Sequence, residues 1–413
     1  MPGVRVQLVD PPAYTPPYDY SLAAALARGG AQVELVTSRY PYGPAPAAGG
    51  FTVREAFYRR TMASDRGTAA RRALRLAEHV PGMLAQRDPG PADIVHYQWL
   101  TLEALDSLLL ARGVPRVFTS HNVLRRGRGA LRERAARAAI GRMDALIAHT
   151  DAGAGELADR FGADPQRVHV IPHGAFHYLA HQADEQPLPD ELARVEGPVV
   201  LSFGVLRPYK GIDVLIEAFR ELEGAELWVV GRPWMDVEPL KRAAAGAGAK
   251  IRFVDRFVAD AQVPAFFRRA DVVALPYRRI DQSGVLYTAL AFAKAIVLSD
   301  VGGFSEVGRV DGAAELVAPG DPVALREALQ RLLDDPAARR RLEDGAAVAA
   351  AGRYSWDDIA RRTLALYEEL LTDRRAAARR SRRSATDRPW MAGRWRGSAT
   401  DRPWMAGQSR GSR

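Results

Sequence analysis

Two cations, Arg207 and Lys210, lie in the segment 202–211, which reads SFGVLRPYKG. An apolar run typical of a buried strand precedes this segment, and a helical pattern follows it. In folds with parallel sheets, ligands bind beyond the carboxyl ends of strands, and Gly204 would let a ligand approach the backbone closely. The cations and the positive end of the helix suit a diphosphate, although an ordinary strand–loop–helix turn with surface cations has the same pattern.

A second segment combines a polar loop with the start of a helix. Residues 275–290 read LPYRRIDQSGVLYTAL, and Ser283 and Gly284 stand where the helix would begin. Backbone amides at such a start bind anions, and the carboxylate of Asp281 comes just before them. A well-capped helix with a loop aspartate is the structural alternative. The two segments together are more specific for a bound diphosphate than either is alone.

Polar side chains also follow apolar runs in the first half of the chain. His96, in the run HYQW, and His173, in IPHG, end predicted strands, and each is either a substrate-binding or a structural histidine. The loop after the first strand, residues 10–19, reads DPPAYTPPYD. Its prolines make it stiff, and its last residues, Tyr18 and Asp19, are available to contact a ligand.

Short apolar runs alternate with helical patterns along most of the chain, which predicts parallel sheets covered by helices on both faces. In the first half we expect strands at 4–9, 33–37, 93–97, 116–119, 145–148 and 168–171, and helices at 20–28, 100–111, 131–142 and 153–161. In the second half we expect strands at 199–203, 226–230, 251–254, 271–275, 295–299 and 315–317, and helices at 212–220, 263–269, 285–293, 322–333 and 356–371. Asp321 followed by Pro322 is a typical helix start.

These elements form two successive α/β units. The predicted organisation is a Rossmann-like domain at 1–181, a linker at 182–197, a second Rossmann-like domain at 198–352, a helix at 353–373 and a basic tail at 374–413. The linker is rich in Asp, Glu, Pro and Gln and has no clear periodicity.

The net charge of +9 comes from the tail, which holds twelve arginines and two aspartates, so the rest of the chain is close to neutral. The tail contains the sequence SATDRPWMAG twice, at 384–393 and 398–407, and we expect it to be disordered. Its Trp-Met pairs among arginines would contact anionic lipid or nucleic acid, or the tail is a non-functional extension.

Composition limits the classes of protein and of site. The chain has no cysteine, which excludes disulfides, thiolate catalysis and zinc–thiolate sites. No apolar run approaches the ~20 residues that span a bilayer, and the first residues do not resemble a secretory signal, so we expect a cytoplasmic protein. There is no Asp-x-Asp motif, and we expect neither a metal site nor a cofactor.

The two loop segments together resemble those of the retaining GT-B glycosyltransferases of family 4. The resemblance covers the chain to about Asp373 and is strongest over 199–333. It implies two Rossmann-like domains that face each other across a cleft, with a C-terminal helix that crosses back to the N-terminal domain. In that family, positions matching Arg207 and Lys210 hold the donor diphosphate and stabilise the leaving nucleotide.

The resemblance also implies further site residues. The loop matching Ser283, Gly284, Val285 and Leu286 offers backbone amides to the diphosphate and the sugar. His121, in TSHN, matches a histidine of the N-terminal domain near the reacting centre. Glu306, in the run GGFSE, matches the family too, as a donor contact or as part of a helix start. On the acceptor side of the implied cleft we expect Tyr18, Asp19, His96 and His173.

The family's signature is two glutamates separated by seven residues. Alignment of Ser283, Gly284 and Val285 with the usual Phe-Gly-Leu puts Asp281 at the first glutamate and Ala289 at the second. The first usually contacts hydroxyls of the donor sugar, which an aspartate can also do. The second usually binds the nucleotide ribose, which an alanine cannot.

The implied function is metal-independent, retaining transfer of a sugar from a UDP- or GDP-sugar to a glycan, a lipid-linked or a small-molecule acceptor, as in synthesis of cell-envelope polysaccharide. A catalytically silent relative and a sugar-nucleotide epimerase are the alternatives. We expect no specific nucleic-acid partner, because the chain before the tail has no basic stripe and no recognition helix.

Contact with a membrane is a separate question. Five arginines follow His121 closely: Arg125, Arg126, Arg128, Arg132 and Arg134. Such a patch either holds the enzyme on an anionic membrane that carries lipid-linked acceptors or forms a solvated helix face.

Overall fold

The computed structural model describes residues 3–40, 48–61, 68–121, 129–248, 250–280 and 282–386. The chain forms two compact units, Met1–Leu371 and Thr372–Arg413, and both sheets belong to the first. We call the part that contributes the first sheet the N-terminal half and the part that contributes the second sheet the C-terminal half.

The N-terminal half contains a parallel sheet of seven strands. The strands are β1 (Arg5–Asp10), β2 (Gln32–Ser38), β3 (Thr52–Phe57), β4 (Ile94–Tyr97), β5 (Arg116–Ser120), β6 (Ala145–Ala148) and β7 (Val168–Val170). Their order is β3-β2-β1-β4-β5-β6-β7. Central strands such as β4 and β6 are buried along their whole length, because helices cover both faces of a parallel sheet.

The helices of this half are α1 (Pro16–Arg28), α2 (Ala69–Ala85), α3 (Glu103–Asp106), α4 (Ala130–Ile140), α5 (Asp151–Phe161), α6 (His177–Ala180) and α7 (Asp190–Ala193). The pattern of the sequence did not predict β3 and α2. Charged residues interrupt β3 at the edge of the sheet, and α2 contains Pro81 and Gly82, which are unusual inside a helix. A Cβ at Gly82 would lie 2.4 Å from the ring of Phe57, so glycine lets α2 pack directly on β3.

One expectation for this half was wrong in detail. The helix predicted at 100–111 is reduced to α3, because side chains accept hydrogen bonds from backbone N–H groups at both ends of the predicted helix. The backbone N–H of Leu102 donates to Asp106, and that of Ala111 donates to the hydroxyl of Tyr97. The predicted linker 182–197 contains the short helix α7.

The C-terminal half contains a parallel sheet of six strands. They are β8 (Val199–Phe203), β9 (Glu226–Val230), β10 (Ile251–Val254), β11 (Val272–Leu275), β12 (Ala295–Ser299) and β13 (Glu315–Val317). Their order is β10-β9-β8-β11-β12-β13. The predicted strands agree with these bounds to within one residue, because each is a short apolar run bounded by polar or turn residues.

The helices of this half are α8 (Ile212–Phe219), α9 (Glu238–Ala245), α10 (Val263–Arg269), α11 (Gly284–Ala291), α12 (Gly303–Arg309), α13 (Pro322–Asp334), α14 (Pro336–Ala351) and α15 (Trp356–Thr386). The predicted start of α13 is confirmed, since the Asp321 carboxylate accepts from the backbone N–H groups of Val323 and Ala324.

The last helix returns to the N-terminal half, as the resemblance implied. In α15, the hydroxyl of Tyr367 is hydrogen-bonded to Nδ1 of His96 in β4 at 2.6 Å. The helix continues to Thr386, which corrects the expectation of disorder from residue 374 for the first part of the tail. Alanine and arginine, which dominate this extension, are both good helix formers. Both copies of the repeat lie mostly or wholly outside the described residues.

Candidate active site at the carboxyl edges of the two sheets

The strand order of each sheet reverses at one place. In the N-terminal half the reversal falls between β1 and β4, and in the C-terminal half it falls between β8 and β11. At such a reversal, the loops that follow two neighbouring strands run in opposite directions. A crevice forms between these loops at the carboxyl ends of the strands, and ligands bind there. The two segments singled out from the sequence follow β8 and β11, so they meet at the crevice of the second sheet.

The loop after β8 is fixed by glycines and by contacts with its neighbours. Gly211 has φ +66°, and a Cβ there would lie 2.0 Å from the carbonyl oxygen of Pro276 in the loop after β11. Gly204 has φ +97°, and a Cβ there would lie 3.0 Å from Nζ of Lys210. The backbone N–H of Arg278 donates to the carbonyl of Tyr209, which joins the two loops. The close approach of these loops therefore depends on glycine.

Lys210 is almost wholly buried in this crevice. Its Nζ donates to the carbonyl of Phe203 at 3.2 Å and lies 5.0 Å from the ring centroid of Tyr277. Burial lowers the pKa of Lys210 to about 8, with a smaller lowering from the charge of Arg207. The ammonium is thus a poorly solvated cation whose charge is stabilised by any anion that binds beside it.

Arg207 lies on the same loop and is half-buried. Its guanidinium carbon is 4.2 Å from the ring centroid of Trp234, a cation–π contact that orients the side chain. The loop carrying Trp234 is held to the β8 loop by hydrogen bonds between Leu206 and Arg232 and between Trp234 and Leu206. Trp234 was not predicted as a site residue, because only the pairing of these loops brings it to Arg207.

The helix α11 begins at the same crevice. Ser283 is its N-cap but makes no capping bond with its side chain, and Gly284 and Val285 are its first residues. The first N–H groups of a helix have no partner within the helix, so they are available to an anion. Leu286 is fully buried and anchors this turn, and so is Ala289. Asp281 lies outside the described residues.

Glu306 in α12 has both carboxylate oxygens engaged by the protein. One oxygen accepts from the backbone N–H of Asp151 at 2.9 Å, at the start of α5 in the N-terminal half. The other lies 3.3 Å from the guanidinium of Arg353. In this arrangement Glu306 joins the two halves and stabilises the N-terminus of α5.

Histidines meet at the carboxyl edge of the first sheet. His121, His149 and His173 follow β5, β6 and β7, and all three rings contact the buried ring of Tyr18, with centroids 4.5, 5.4 and 4.9 Å away. Burial lowers the pKa of each: that of His149 falls to about 4, and those of His121 and His173 fall well below the usual value. The cluster is therefore uncharged at neutral pH. Sequence patterns left His149 unassigned.

The hydrogen bonds define the tautomers in this cluster. Nδ1 of His149 donates to the carbonyl of Ile171 at 3.0 Å, so its unprotonated Nε2 accepts from Nδ1 of His121 at 3.2 Å. The other nitrogen of His121, Nε2, then has only a lone pair and lies 3.0 Å from Oε1 of Gln98. Two acceptors cannot bond to each other, so this tautomer requires the Gln98 amide to be turned so that its N–H group, which has no other partner among the described residues, faces His121. Both ring nitrogens of His121 are thus engaged within the protein.

His96 and Asp19, two expected acceptor-side residues, are buried with protein partners. His96 is bonded to Tyr367 and, at 2.6 Å, to the hydroxyl of Thr119, and burial lowers its pKa to about 3. Asp19 shares a hydrogen bond with the buried Asp10, and burial raises the pKa of both carboxyl groups. This geometry favours a structural role for His96. It also favours a pair of carboxyl groups, Asp10 and Asp19, that share a proton.

Two further expectations concern metals and the basic patch. Across the described ranges, no three His, Asp or Glu side chains come together as metal ligands. Arg125, Arg126 and Arg128 lie outside the described residues, so the structure does not address the patch.

Comparison with known proteins agrees with this arrangement. The family model described as Glycosyltransferase Family 4 matches residues 18–175, and the one described as Glycosyl transferases group 1 matches residues 197–335. The D-inositol 3-phosphate glycosyltransferase of Acidothermus cellulolyticus is 32% identical over 321 residues, which cover 71% of this chain and 71% of that relative. The chain belongs to the family 4 glycosyltransferases.

Another relative of this family 4 glycosyltransferase matches over most of its length. The D-inositol 3-phosphate glycosyltransferase of Xylanimonas cellulosilytica is 31% identical over 391 residues, which cover 87% of this chain and 92% of the relative. The protein is therefore an enzyme that transfers glycosyl groups.

Solved structures show the same GT-B fold. A sucrose-phosphate synthase from Thermosynechococcus elongatus superimposes with a TM-score of 0.68 at 20% identity, covering 90% of this chain and all of that one. The Anabaena protein HepE in complex with UDP-glucose superimposes with a TM-score of 0.67 at 18% identity, covering 89% of this chain and 99% of that one. Within the described part of this glycosyltransferase, no helix is long and apolar enough to cross a membrane.

Proposed function

We propose that this family 4 glycosyltransferase moves a sugar from a nucleoside diphosphate sugar to an acceptor hydroxyl with retention of the anomeric configuration. The observation that carries the proposal is the convergence of Lys210, Arg207 and the start of α11 at the β8/β11 crevice. Three sources of positive potential at one point suit a diphosphate better than any neutral ligand.

The chemistry follows from where charge develops. The bond between the anomeric carbon and the diphosphate oxygen breaks, and negative charge grows on that oxygen. Groups that are already oriented towards this charge stabilise the transition state more than the ground state. The acceptor oxygen bonds to the anomeric carbon on the face from which the diphosphate leaves, and its proton passes to the departing oxygen. We propose that the reaction needs no metal ion, so that EDTA leaves its rate unchanged.

His121 then has a positioning role. Its ring nitrogens are engaged by His149 and Gln98, so it is not free to accept a proton from the acceptor. Its ring instead lies flat against Trp99, with centroids 5.2 Å apart and planes 15° apart.

We propose a UDP-sugar as the donor. HepE, which shares the fold, has been solved with UDP-glucose, and another of its structures holds UDP. The methyl group of Ala289 offers the nucleotide ribose no hydrogen bond. A site that does not bind a hydroxyl discriminates little against an analogue that lacks this hydroxyl. We therefore expect the dissociation constants of UDP and 2′-deoxy-UDP to differ by less than about tenfold.

A thermal-shift panel of UDP, 2′-deoxy-UDP, GDP, ADP and dTDP tests the donor site. A ligand at ~100 times its dissociation constant stabilises the fold by about 2.7 kcal/mol. We expect UDP to raise Tm and Arg207→Ala to abolish the shift, while Arg309→Ala, a surface arginine of α12, retains it. Absence of a shift with every nucleotide would contradict the proposal and favour a catalytically silent relative.

We place the reaction in the cytoplasm, with the basic segment 125–134 at an anionic membrane that presents lipid-linked acceptors. Co-sedimentation with anionic liposomes at low salt tests this contact. Protein that stays in the supernatant would remove the membrane from the proposal.

A further inference from the structure

Both cations at the β8/β11 crevice lie over aromatic rings. The guanidinium carbon of Arg207 is 4.2 Å from the ring centroid of Trp234, and Nζ of Lys210 is 5.0 Å from that of Tyr277. Tyr277 is buried, whereas Trp234 is 53% exposed. Core packing therefore explains the place of Tyr277 but not that of Trp234.

The backbone of two loops brings Trp234 to Arg207. Gly231, the first residue after β9, has φ +145°, and a Cβ there would lie 2.1 Å from the carbonyl oxygen of Gly204 in the loop after β8. Beyond this close approach, the backbone N–H of Trp234 donates to the carbonyl of Leu206 at 3.0 Å. Leu206 is buried and anchors the pairing of the loops. The ring is thus placed over the guanidinium by backbone contacts that form before any ligand binds.

The kind of contact matters for anion binding. Arg278, in the loop after β11, is held by an ion pair, with its Nη1 2.8 Å from the carboxylate of Asp213. Such a pair neutralises the charge of an arginine and engages its N–H groups. An aromatic ring instead contacts the face of the guanidinium, so the charge and the N–H donors, which lie in the guanidinium plane, stay available to phosphate oxygens. Trp234 can therefore orient Arg207 without competing with a diphosphate.

Orientation in advance also affects affinity. A long side chain loses rotamer freedom when it binds a ligand, and this loss weakens binding. The contact with Trp234 restricts the side chain of Arg207 already in the free protein, so less freedom remains to be lost when an anion binds.

We propose that Trp234 is a positioning residue that holds Arg207 for the diphosphate of the donor, and that it thereby sets the preference of the site for a nucleoside diphosphate over a nucleoside monophosphate. This inference rests on the proposed function, because Trp234 acts through a cation of the proposed donor site.

Calorimetric titration with UDP and with UMP tests this role. We expect Trp234→Leu to weaken UDP binding about three- to tenfold, a loss in the range of one cation–π contact, and to lower the ratio of UDP affinity to UMP affinity. Trp234→Phe keeps an aromatic face and should restore most of both. Val323→Ala, at a side chain that is 51% exposed in the same half, is the control and should match the wild type. Tm verifies that each variant is folded.

A double-mutant cycle then asks whether Trp234 acts through Arg207. Arg207→Ala is expected to bind UDP weakly, so its dissociation constant is measured at millimolar UDP by ligand-observed NMR. In this background Trp234→Leu should cause no further loss, because the group that Trp234 positions is absent. Residues that act independently would give additive losses.

Several outcomes would overturn the positioning role. Additive losses in the cycle, or equal losses for UDP and UMP, would mean that Trp234 binds the nucleotide itself. Unchanged UDP affinity in Trp234→Leu, or an equal loss in Trp234→Phe, would mean that the aromatic face is not what matters. In all of these cases the wild-type enzyme would still bind UDP. Failure of UDP to bind the wild-type enzyme would overturn the proposed function itself, which is a separate result.

Discussion

The imidazole of His173 stacks on the ring of Tyr287, with centroids 4.2 Å apart and planes 10° apart. His173 follows β7 in the N-terminal half, whereas Tyr287 lies in the first turn of α11 in the C-terminal half. The hydroxyl of Tyr287 also donates to the side chain of Gln282 in the loop before the helix. One pair of rings therefore fixes α11 relative to the carboxyl edge of the first sheet.

Tyr287→Leu is expected to lower kcat about ten- to hundredfold with little change in UDP affinity, because small misplacements of reacting groups cost this much. The substitution should leave Arg207 and Lys210, the cations that we propose bind the diphosphate, in place. Steady-state kinetics and calorimetry separate the two effects, and Tm confirms that the variant is folded. Tyr287→Phe keeps the ring and loses only the bond to Gln282. If it were as slow as Tyr287→Leu, the hydroxyl and not the stack would be the important group.

Lys210 should give the reaction a pH dependence in the alkaline range. Burial lowers its pKa to about 8 in the free enzyme, so the ammonium that we propose binds the diphosphate is lost as pH rises through that value. We expect kcat/KM for the donor, which reports the free enzyme, to fall above about pH 8. Lys210→Arg should remove this alkaline limb, because arginine stays protonated. An unchanged limb in Lys210→Arg would assign it to another group.

The same pKa shift affects stability with a definite sign. Between about pH 8 and the usual lysine pKa, the unfolded chain binds the Lys210 proton and the folded chain does not. The contribution of Lys210 to the free energy of unfolding therefore increases with pH across this interval. Lys210→Met, which keeps a long side chain without the charge, should lack this increase. Denaturant unfolding at several pH values of both proteins measures the difference.

Gly211→Ala should damage both stability and donor binding. The new Cβ would lie 2.0 Å from the carbonyl of Pro276, so the loops after β8 and β11 must separate. Gly224→Ala is the matched control, since Gly224 also has a positive φ, +75°, but nothing lies within 4 Å of its Cβ position. We expect the control to lose about 1–2 kcal/mol from conformational strain alone and to bind UDP normally. Equal losses of Tm and of UDP affinity in the two variants would refute the steric argument.

Tyr367→Phe tests whether His96 is structural. The variant leaves Nδ1 of the buried His96 without its partner, which should cost about 1–3 kcal/mol of folding free energy. Because neither side chain faces substrate in this reading, donor and acceptor KM values should not change. A stable variant with a raised acceptor KM would return His96 to the acceptor site.

Local sequence determined much of the C-terminal half. Strands such as β8 and β9 are apolar runs closed by polar or turn residues, so their bounds follow from a few neighbouring residues. The position of Lys210 between a strand and a helix also follows from neighbouring residues, and so does the capped start of α13. Alternation of such elements also specified a parallel sheet in each half.

Only the tertiary structure decided which side chains become partners. His96 and Tyr367 are 271 residues apart, and Glu306 reaches a backbone N–H that is 155 residues away. The sequence shows each histidine at a strand end, but whether its nitrogens face substrate or protein depends on what packs against that edge. Arg207 and Trp234 likewise meet only when β8 and β9 are neighbours. Local patterns fix elements because turns and apolar runs act over a few residues, whereas partners at the site are chosen by packing across the whole chain.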